Sequence, residues 1–206
     1  MVSQCTDVAA VGASMLRGPL TLYAGFDATA PGLHAGHLVV LTALRRLAAA
    51  GHRVIVLLGG ATTMIGDPSF RTDGRPLLSQ DEVRANMAAI RRDAERVLRG
   101  FDVTFADNAE WTAEVGFLDF MREVGSKFTV ARMSAMESMR SRVGNGVTMM
   151  EFSYMMLQAW DFVQLNRRHG CVLQVGGSDQ WGNICNGVDL ARRIERGDRP
   201  RVLVEA

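Results

Sequence analysis

Cysteine is scarce in this chain of 206 residues, and its spacing fits no cysteine-based site. The three cysteines, Cys5, Cys171 and Cys185, are odd in number and form no Cys-x-x-Cys pair. A disulfide framework needs paired cysteines in an oxidising compartment, and a zinc site needs closely spaced ligands. The sequence therefore predicts reduced thiols and neither a zinc site nor a disulfide scaffold.

Features of a secreted, membrane or strongly basic protein are also missing. No apolar run approaches the length that spans a bilayer, and the amino terminus has no basic stretch followed by an apolar core. A net charge of +1 gives no global field for nucleic acid, so any contact with RNA must come from local arginine clusters. We therefore expect a cytoplasmic protein whose 48% hydrophobic residues bury one good core.

Apolar strands alternate with helical patterns along the chain. We predict strands over residues 20–26, 53–58, 101–105, 171–175 and 201–204, and helices over residues 37–50, 79–98, 150–166 and 183–196. Such alternation predicts an α/β fold with a doubly wound parallel sheet, and a ligand site at the carboxyl ends of its strands.

The most informative segment, residues 23–37, joins a strand to a helix through a glycine-rich turn. It delivers His34 and His37 to the start of the helix, where unpaired N–H groups and the helix dipole attract anions. The turn is neither a Walker loop nor a Gly-x-Gly-x-x-Gly dinucleotide motif. The pattern predicts a phosphate site in which both imidazoles add donors.

Four motifs in this order and spacing resemble one family. The His-x-Gly-His sequence of residues 34–37 resembles the signature of class I aminoacyl-tRNA synthetases, and residues 59–69, 151–162 and 173–184 resemble tyrosyl-tRNA synthetases. The resemblance covers residues 4–194. It implies a Rossmann-like catalytic domain over residues 1–206, present in part, that activates L-tyrosine with ATP and transfers it to tRNA(Tyr).

The resemblance also implies an ATP site, with ATP as substrate alongside Mg²⁺ and no metal bound by the protein itself. The implied ATP-binding residues are Gly25, Asp27, Thr29, His34, Gly36, His37, Gly177 and Asp179. The implied catalytic set comprises His34, His37, Thr29, Arg71 and Arg75, the two arginines closing over pyrophosphate. Ala28 stands where the family's Gly-Phe-Asp-Pro-Thr form has proline, which is expected to change loop stiffness more than chemistry.

A tyrosine pocket is implied in the same way, by Tyr23, Asp67, Tyr154, Gln158, Asp161, Gln174 and Gln180. Tyr154, Gln158 and Asp161 fall at i, i+4 and i+7, so they share one helix face. The family pairs the positions of Tyr23 and Asp161 with the phenolic hydroxyl of the substrate. A lone polar residue on an apolar helix is usually a satisfied core group, but four coinciding motifs favour the binding role.

Between the third strand and the long helix, residues 108–147 read as an insertion of short helical pieces. Met133, Met136, Met139, Met149 and Met150 lie in it or just after it. Methionines either pack in a core or provide an adaptable partner surface, and the sequence leaves both open. In the family the corresponding insertion forms the interface of a homodimer, which favours a twofold dimer here.

The family's second signature, Lys-Met-Ser-Lys-Ser, and its anticodon-binding domains do not occur within the 206 residues. We therefore expect a tyrosine-tRNA ligase represented by a partial chain, with weak or no activity alone. The alternative is a truncated, non-catalytic paralogue that binds tyrosine and ATP or dimerises. If the chain were instead a generic nucleotide-binding module, its match to the family at the tyrosine-pocket positions would be a coincidence.

Overall fold

A five-stranded parallel sheet forms the centre of the molecule, with strand order β3-β2-β1-β4-β5. The computed structural model describes residues 2–70, 77–143, 146–194 and 204–205. The strands are β1 (Thr21–Phe26), β2 (Arg53–Leu58), β3 (Val103–Asp107), β4 (Leu173–Gln174) and β5 (Val204–Glu205). The predicted parallel α/β fold is confirmed, and every strand ends at the same edge of the sheet.

The helices connect and cover these strands. In chain order they are α1 (Val8–Arg17), α2 (Ala35–Ala49), α3 (Thr62–Ile65), α4 (Gln80–Val97), α5 (Ala109–Thr112), α6 (Phe117–Glu123), α7 (Val130–Ser134), α8 (Glu137–Val143), α9 (Met149–His169) and α10 (Trp181–Ile194), with short 3-10 turns at Gly125–Lys127 and Ser178–Gln180. Within the described ranges, none of the helices combines the length and apolar character that crossing a bilayer requires.

Alternation along the strands places apolar side chains on both faces of the sheet. In β1, Leu22, Ala24 and Phe26 belong to one buried cluster, which also takes in Leu41 of α2. Tyr23, between them, belongs to the opposite cluster, under α9 and α10. Since successive side chains of a strand point to opposite faces, a strand buried on both sides is apolar throughout.

Capping side chains fix where the two longest helices begin. Ser79 and Glu82 form a capping box at the start of α4, and Thr148 and Glu151 form a second one at the start of α9. These side chains satisfy backbone N–H groups that have no partner inside the helix. At the other end of α9, Gly170 takes a left-handed conformation with φ of 65°. The ends of these helices are thus set by local sequence.

Some predicted bounds are wrong, each for a local reason. The third strand begins at Val103 and not at residue 101, because the turn that ends α4 continues through Gly100, with φ of 91°, to Phe101. Helix α9 extends to His169 and not only to residue 166, because basic residues in the last turn interact favourably with the helix dipole. Helix α1, capped by Asp7, was missed by the sequence reading. Residues 195–203 include parts of two predicted elements that lie outside the described residues.

The methionines of the segment between β3 and α9 divide between core and surface. Met133 and Met139 are buried, 2% and 0% exposed, so for these two the core interpretation holds. Met149, at the start of α9, is 71% exposed. Exposed apolar area in this segment comes instead from Phe117, Leu118, Met121 and Val130, which the methionine pattern did not indicate.

Candidate active site

One large cleft of about 1750 Å³ lies at the carboxyl ends of the strands. Its lining includes all the predicted site residues that the structure describes: Tyr23, Gly25, Asp27, Thr29, His34, Gly36, His37, Asp67, Tyr154, Gln158, Asp161, Gln174, Gly177, Asp179 and Gln180. Arg71 and Arg75 lie outside the described residues. The fold therefore brings motifs from distant parts of the sequence into one cleft, while their roles in binding stay predictions.

At one end of the cleft, His34 and His37 cap α2 reciprocally. Nδ1 of His34 accepts hydrogen bonds from the backbone N–H groups of Gly36, at 3.1 Å, and His37, at 3.4 Å. Nδ1 of His37 accepts from the N–H of His34 at 3.4 Å, and the two rings stack with centroids 3.6 Å apart. Because each Nδ1 is an acceptor, a neutral ring carries its proton on Nε2.

The charge state of His37 follows from its surroundings. Burial lowers the pKa of His37, the neighbouring His34 lowers it further, and Asp179 opposes both. A neutral imidazole keeps Nδ1 as an acceptor for the helix start and presents Nε2–H as a donor. The pair can therefore donate hydrogen bonds to an anion at the helix start.

At another part of the cleft, the carboxylate of Asp161 on α9 is 2% exposed and held by two donors. Trp111 of α5 donates from Nε1 to Oδ1 at 2.8 Å, and Asn108, at the end of β3, donates from Nδ2 to Oδ2 at 2.9 Å. Each carboxylate oxygen retains acceptor capacity, so Asp161 can accept a further hydrogen bond from a ligand.

Burial raises the pKa of Asp161 to about 7. The hydrogen bonds from Asn108 and Trp111 lower it, and the negative charges of Asp27 and Asp107 raise it. Desolvation outweighs the two donors because an ionised carboxylate loses most of its hydration in this position. Asp161 therefore changes its charge near neutral pH.

A hydrogen-bonded chain ties Asp161 to the end of β1. Asn108 also donates from Nδ2 to Oγ1 of Thr62, at 2.9 Å, and Thr62 donates to Oδ1 of Asp27 at 2.7 Å. Tyr154 donates its phenolic hydrogen to Oδ2 of Asp27 at 2.9 Å. Burial raises the pKa of Tyr154 well above its usual range, with the charges of Asp27 and other carboxylates adding to the effect, so the phenol stays a donor.

A third group of polar side chains joins α9, the loop after α3 and the loop before α10. Gln180 donates from Nε2 to Oδ2 of Asp67 and to Oδ2 of Asp179, both at 2.9 Å. Gln158 donates from Nε2 to Oε1 of Gln180 at 3.1 Å. Oδ1 of Asp67 accepts from the N–H of Ser69 at 2.9 Å. These acceptors and amides are suited to an ammonium group beside a carboxylate.

The glycines of the site have different functions. A methyl group on Gly25 would have no atom within 4 Å, so this part of β1 faces open space that a ligand can enter. On Gly36 it would approach the ring of His34 to 3.0 Å, and on Gly177 it would approach Oδ1 of Asp179 to 2.3 Å. Gly36 and Gly177 therefore make room for the neighbouring side chains.

Ala28 makes a contact that proline could not make. Its N–H donates to Oγ1 of Thr63 at 2.8 Å, and its carbonyl accepts from Nδ2 of Asn86 at 2.9 Å. Alanine in place of proline therefore adds a hydrogen bond, besides any change in the stiffness of the loop.

Sequence reasoning missed Asn108, Trp111 and Thr62 as parts of the site. Asn108 directly follows strand β3, at the edge of the sheet where the cleft lies. A polar residue in that position could have been predicted to be part of the site. Trp111 carried no comparable signal, because its contact with Asp161 spans 50 residues.

Comparisons with known proteins identify relatives of this chain. The chain is 50% identical over 194 residues to a tyrosine–tRNA ligase of Anaplasma marginale, which covers 93% of this chain and 47% of the relative. It is 48% identical over 194 residues to a tyrosine–tRNA ligase of Pseudomonas aeruginosa, with the same two coverages. The chain thus spans about half the length of these curated relatives.

Solved structures share the fold. A C-terminally truncated mitochondrial tyrosyl-tRNA synthetase of Aspergillus nidulans superposes with a TM-score of 0.84 at 29% identity, over 97% of this chain and 63% of that one. A tyrosyl-tRNA synthetase of Archaeoglobus fulgidus, complexed with L-tyrosine, gives 0.77 at 16% identity, over 98% of this chain and 59% of that one. The model of the family "tRNA synthetases class I (W and Y)" matches residues 15–205, nearly the whole chain. Because the family model matches nearly the whole chain, and because the His34–His37 cap and the buried Asp161 carboxylate line one cleft, the chain belongs to the class I tRNA synthetases of that family.

Proposed function

We propose that the protein carrying this chain is a tyrosine-tRNA ligase, which forms tyrosyl-adenylate from L-tyrosine and ATP and transfers the tyrosyl group to tRNA(Tyr). One observation supports tyrosine as the substrate. Asp161, a buried carboxylate with two protein donors, lines the same cleft as Tyr23, and that cleft includes the start of α2, where a helix N-terminus is suited to an anion. The names of the relatives favour this ligase over a non-catalytic paralogue.

The proposed amino-acid site recognises both ends of tyrosine. Asp161 accepts the hydrogen of the phenol while Tyr23 exchanges a hydrogen bond with it. The α-ammonium group lies near Asp67, Tyr154 and Gln158, and Gln174 and Gln180 complete the wall of the pocket. A substrate without the hydroxyl leaves a buried acceptor without its partner, and rejection of phenylalanine in this way is a known example from tyrosyl-tRNA synthetases.

The proposed nucleotide site is the start of α2. Nε2–H groups of His34 and His37 donate to the phosphates, Thr29 adds a hydroxyl, and the ribose lies near Gly177 and Asp179. Asp27 and the open face at Gly25 border the same space. We assign Arg71 and Arg75 to the pyrophosphate on the family resemblance alone, since they lie outside the described residues.

The chemistry needs positioning and charge stabilisation more than a protein nucleophile. A carboxylate oxygen of tyrosine attacks the α-phosphorus of ATP, an O–P bond forms, and the bond to pyrophosphate breaks. Negative charge accumulates on the leaving group, where the histidine donors and the helix dipole stabilise it. Mg²⁺ would enter with ATP; among the described residues no cluster of three His, Cys, Asp or Glu side chains is arranged to hold a metal ion.

Titration calorimetry tests the choice of substrate. Tyrosine should bind at least about fivefold more tightly than phenylalanine, because an unsatisfied buried acceptor costs about 1–3 kcal/mol. Asp161→Asn should reduce that ratio, and tyrosine-dependent exchange of pyrophosphate into ATP should fall with it. Asp102→Asn, at an exposed carboxylate just before β3, is the control and should change neither. Equal affinities for the two amino acids in the unmodified protein would contradict the proposal.

We further propose a homodimer formed through α6 and α7. Phe117, Leu118 and Val130 are 75%, 73% and 68% exposed, which is unusual for large apolar side chains grouped within 14 residues. Met121, 37% exposed, lies one helical turn after Phe117. A second copy of the same surface would remove this apolar area from water.

Sedimentation equilibrium tests the assembly. Leu118→Glu should weaken association of a dimeric protein, because a charge in an apolar interface loses its hydration. Leu16→Glu changes an equally apolar residue of α1 that is 91% exposed and should leave association unchanged. A monomer at every concentration, in a protein that is folded by circular dichroism, would refute the dimer.

A further inference from the structure

Arg168, in the last turn of α9, covers the outer side of the tryptophan that holds Asp161. Its guanidinium lies 5.6 Å from the ring centroid of Trp111. Nε donates to Oε1 of Gln164 at 3.2 Å, and the guanidinium pairs with the carboxylate of Glu114. Two polar partners therefore fix the cation over the indole.

The placement follows from helix geometry. Asp161, Gln164 and Arg168 stand at i, i+3 and i+7 of α9, so they lie along one face. Trp111 contacts this face twice, through its Nε1 at Asp161 and through its ring at Arg168. The indole is thus held between a carboxylate inside the cleft and a cation at the surface.

We infer that Arg168 is a positioning residue for recognition of the tyrosine hydroxyl, acting through the indole of Trp111 on the carboxylate of Asp161. A cation over an aromatic face is attracted by the ring and restricts its movement. It also draws electron density from the ring and so strengthens Nε1–H as a donor to Asp161. The inference rests on the proposed function, since it names a residue that tunes the same pocket.

The neighbouring arginine provides a matched comparison within the chain. Arg167 lies 5.2 Å from the ring centroid of Trp160 and pairs with Glu123 at 3.0 Å. The side chains of the two arginines are similarly exposed, 40% for Arg167 and 35% for Arg168. Nε1 of Trp160, however, has no hydrogen-bond partner among the described residues. Arg167 therefore repeats the packing of Arg168 without the connection to Asp161.

Several groups besides Trp111 face Asp161 and set its titration. Asn108 donates to it, and the carboxylates of Asp27 and Asp107 repel its negative charge. Tyr154, on the same helix as Asp161, stays a neutral phenol. Among the described residues, Trp111 is the one that contacts both Arg168 and Asp161, so the effect of Arg168 should disappear when Trp111 cannot donate.

The experiment measures tyrosine and phenylalanine binding by calorimetry from pH 5.5 to 8.5 in the complete protein. Arg168→Gln should weaken tyrosine binding about threefold to fivefold, which lies within the roughly twofold to fivefold effect of an exposed cation–π contact. The affinity for phenylalanine should change less than twofold. The pH midpoint of tyrosine binding should move up by about half a unit, because a weaker donor stabilises the ionised carboxylate less. Arg167→Gln should change neither quantity.

Two further variants separate positioning from simple packing. Arg168→Lys keeps a cation over the ring and should recover most of the affinity and the pH midpoint. In a Trp111→Phe background, Arg168→Gln should add less than twofold, since the route to Asp161 is already broken. If Arg168→Gln does not fold, Arg168→Met gives the same comparison against Arg167→Met.

The outcomes distinguish this inference from the proposed function. The role of Arg168 alone is overturned if the protein binds tyrosine selectively but the Arg168 and Arg167 variants behave alike. The same holds if the pH midpoint of tyrosine binding does not move in Arg168→Gln. An equal loss for Arg168→Gln with and without Trp111 also overturns it. A wild-type protein that binds no tyrosine overturns the proposed function and this inference together.

Discussion

Tyr154 donates its phenolic hydrogen to Oδ2 of Asp27, at 2.9 Å, across 127 residues of sequence. The bond fastens the long helix α9 to the loop that leaves β1, where the proposed nucleotide and amino-acid parts of the cleft meet. Both residues were predicted as site residues, but no sequence pattern placed them in contact.

The first prediction concerns this bond. Tyr154→Phe should lower the free energy of unfolding by about 1–2 kcal/mol, because a buried hydrogen bond to a charged acceptor is lost. It should also weaken tyrosine binding, since Tyr154 is proposed to lie near the α-ammonium group. Urea unfolding and calorimetry measure the two effects. Phe105→Leu, which trims a partly buried ring of β3 outside the lining of the cleft, is the control for packing. An unchanged stability in Tyr154→Phe would refute the role of the bond.

The second prediction concerns stability and pH. The folded-state pKa of Asp161 is raised from its ordinary 3.8 to about 7, so between these values the folded protein binds more protons than the unfolded chain. The contribution of Asp161 to stability is therefore complete below about pH 4 and is lost as the pH rises to about 7. The unfolding free energy of the wild type minus that of Asp161→Asn should therefore fall as the pH rises from 4 to 7, by up to about 1.4 kcal/mol per pH unit. A difference that stays constant from pH 4 to 7 would show that Asp161 titrates normally.

The third prediction separates the capping contact of His34 from its proposed contribution to the reaction. His34→Ala removes the N-cap of α2 and should cost about 1 kcal/mol of stability together with at least about tenfold in pyrophosphate exchange. His34→Asn keeps a capping acceptor but lacks the imidazole donor, so it should restore stability and not the rate. Thermal unfolding and exchange assays measure the pair. If asparagine restored both quantities, the histidine would act only as a cap.

The fourth prediction concerns the hydrogen bond from Ala28 to Thr63. Ala28→Pro leaves the buried Thr63 hydroxyl without this donor, at a cost of about 1–3 kcal/mol, while proline recovers about 0.4–1 kcal/mol by restricting the unfolded chain. The net effect is therefore a loss of stability in urea unfolding. In a Thr63→Val background the same change should be neutral or stabilising. An equal loss in both backgrounds would point to backbone strain and not to the hydrogen bond.

Local patterns in the sequence predicted most of the fold, and the family resemblance predicted which residues line the cleft. The alternation of apolar residues indicated the parallel sheet, and Ser79 and Glu82 cap the start of α4 from within its own segment. The predicted site residues in the described part all line one cleft. The sheet and the helix starts depend on backbone periodicity and on capping by side chains a few residues away, which a sequence displays directly.

The hydrogen bonds inside the cleft were decided only by the tertiary structure. Asp161 meets Asn108 and Trp111, and Gln180 meets Asp67 across 113 residues, because the strand order places separate loops side by side. The same packing brings Arg168 over Trp111. Such contacts leave no local periodic signature, since they depend on which elements become neighbours and on how each side chain is directed once the core has formed.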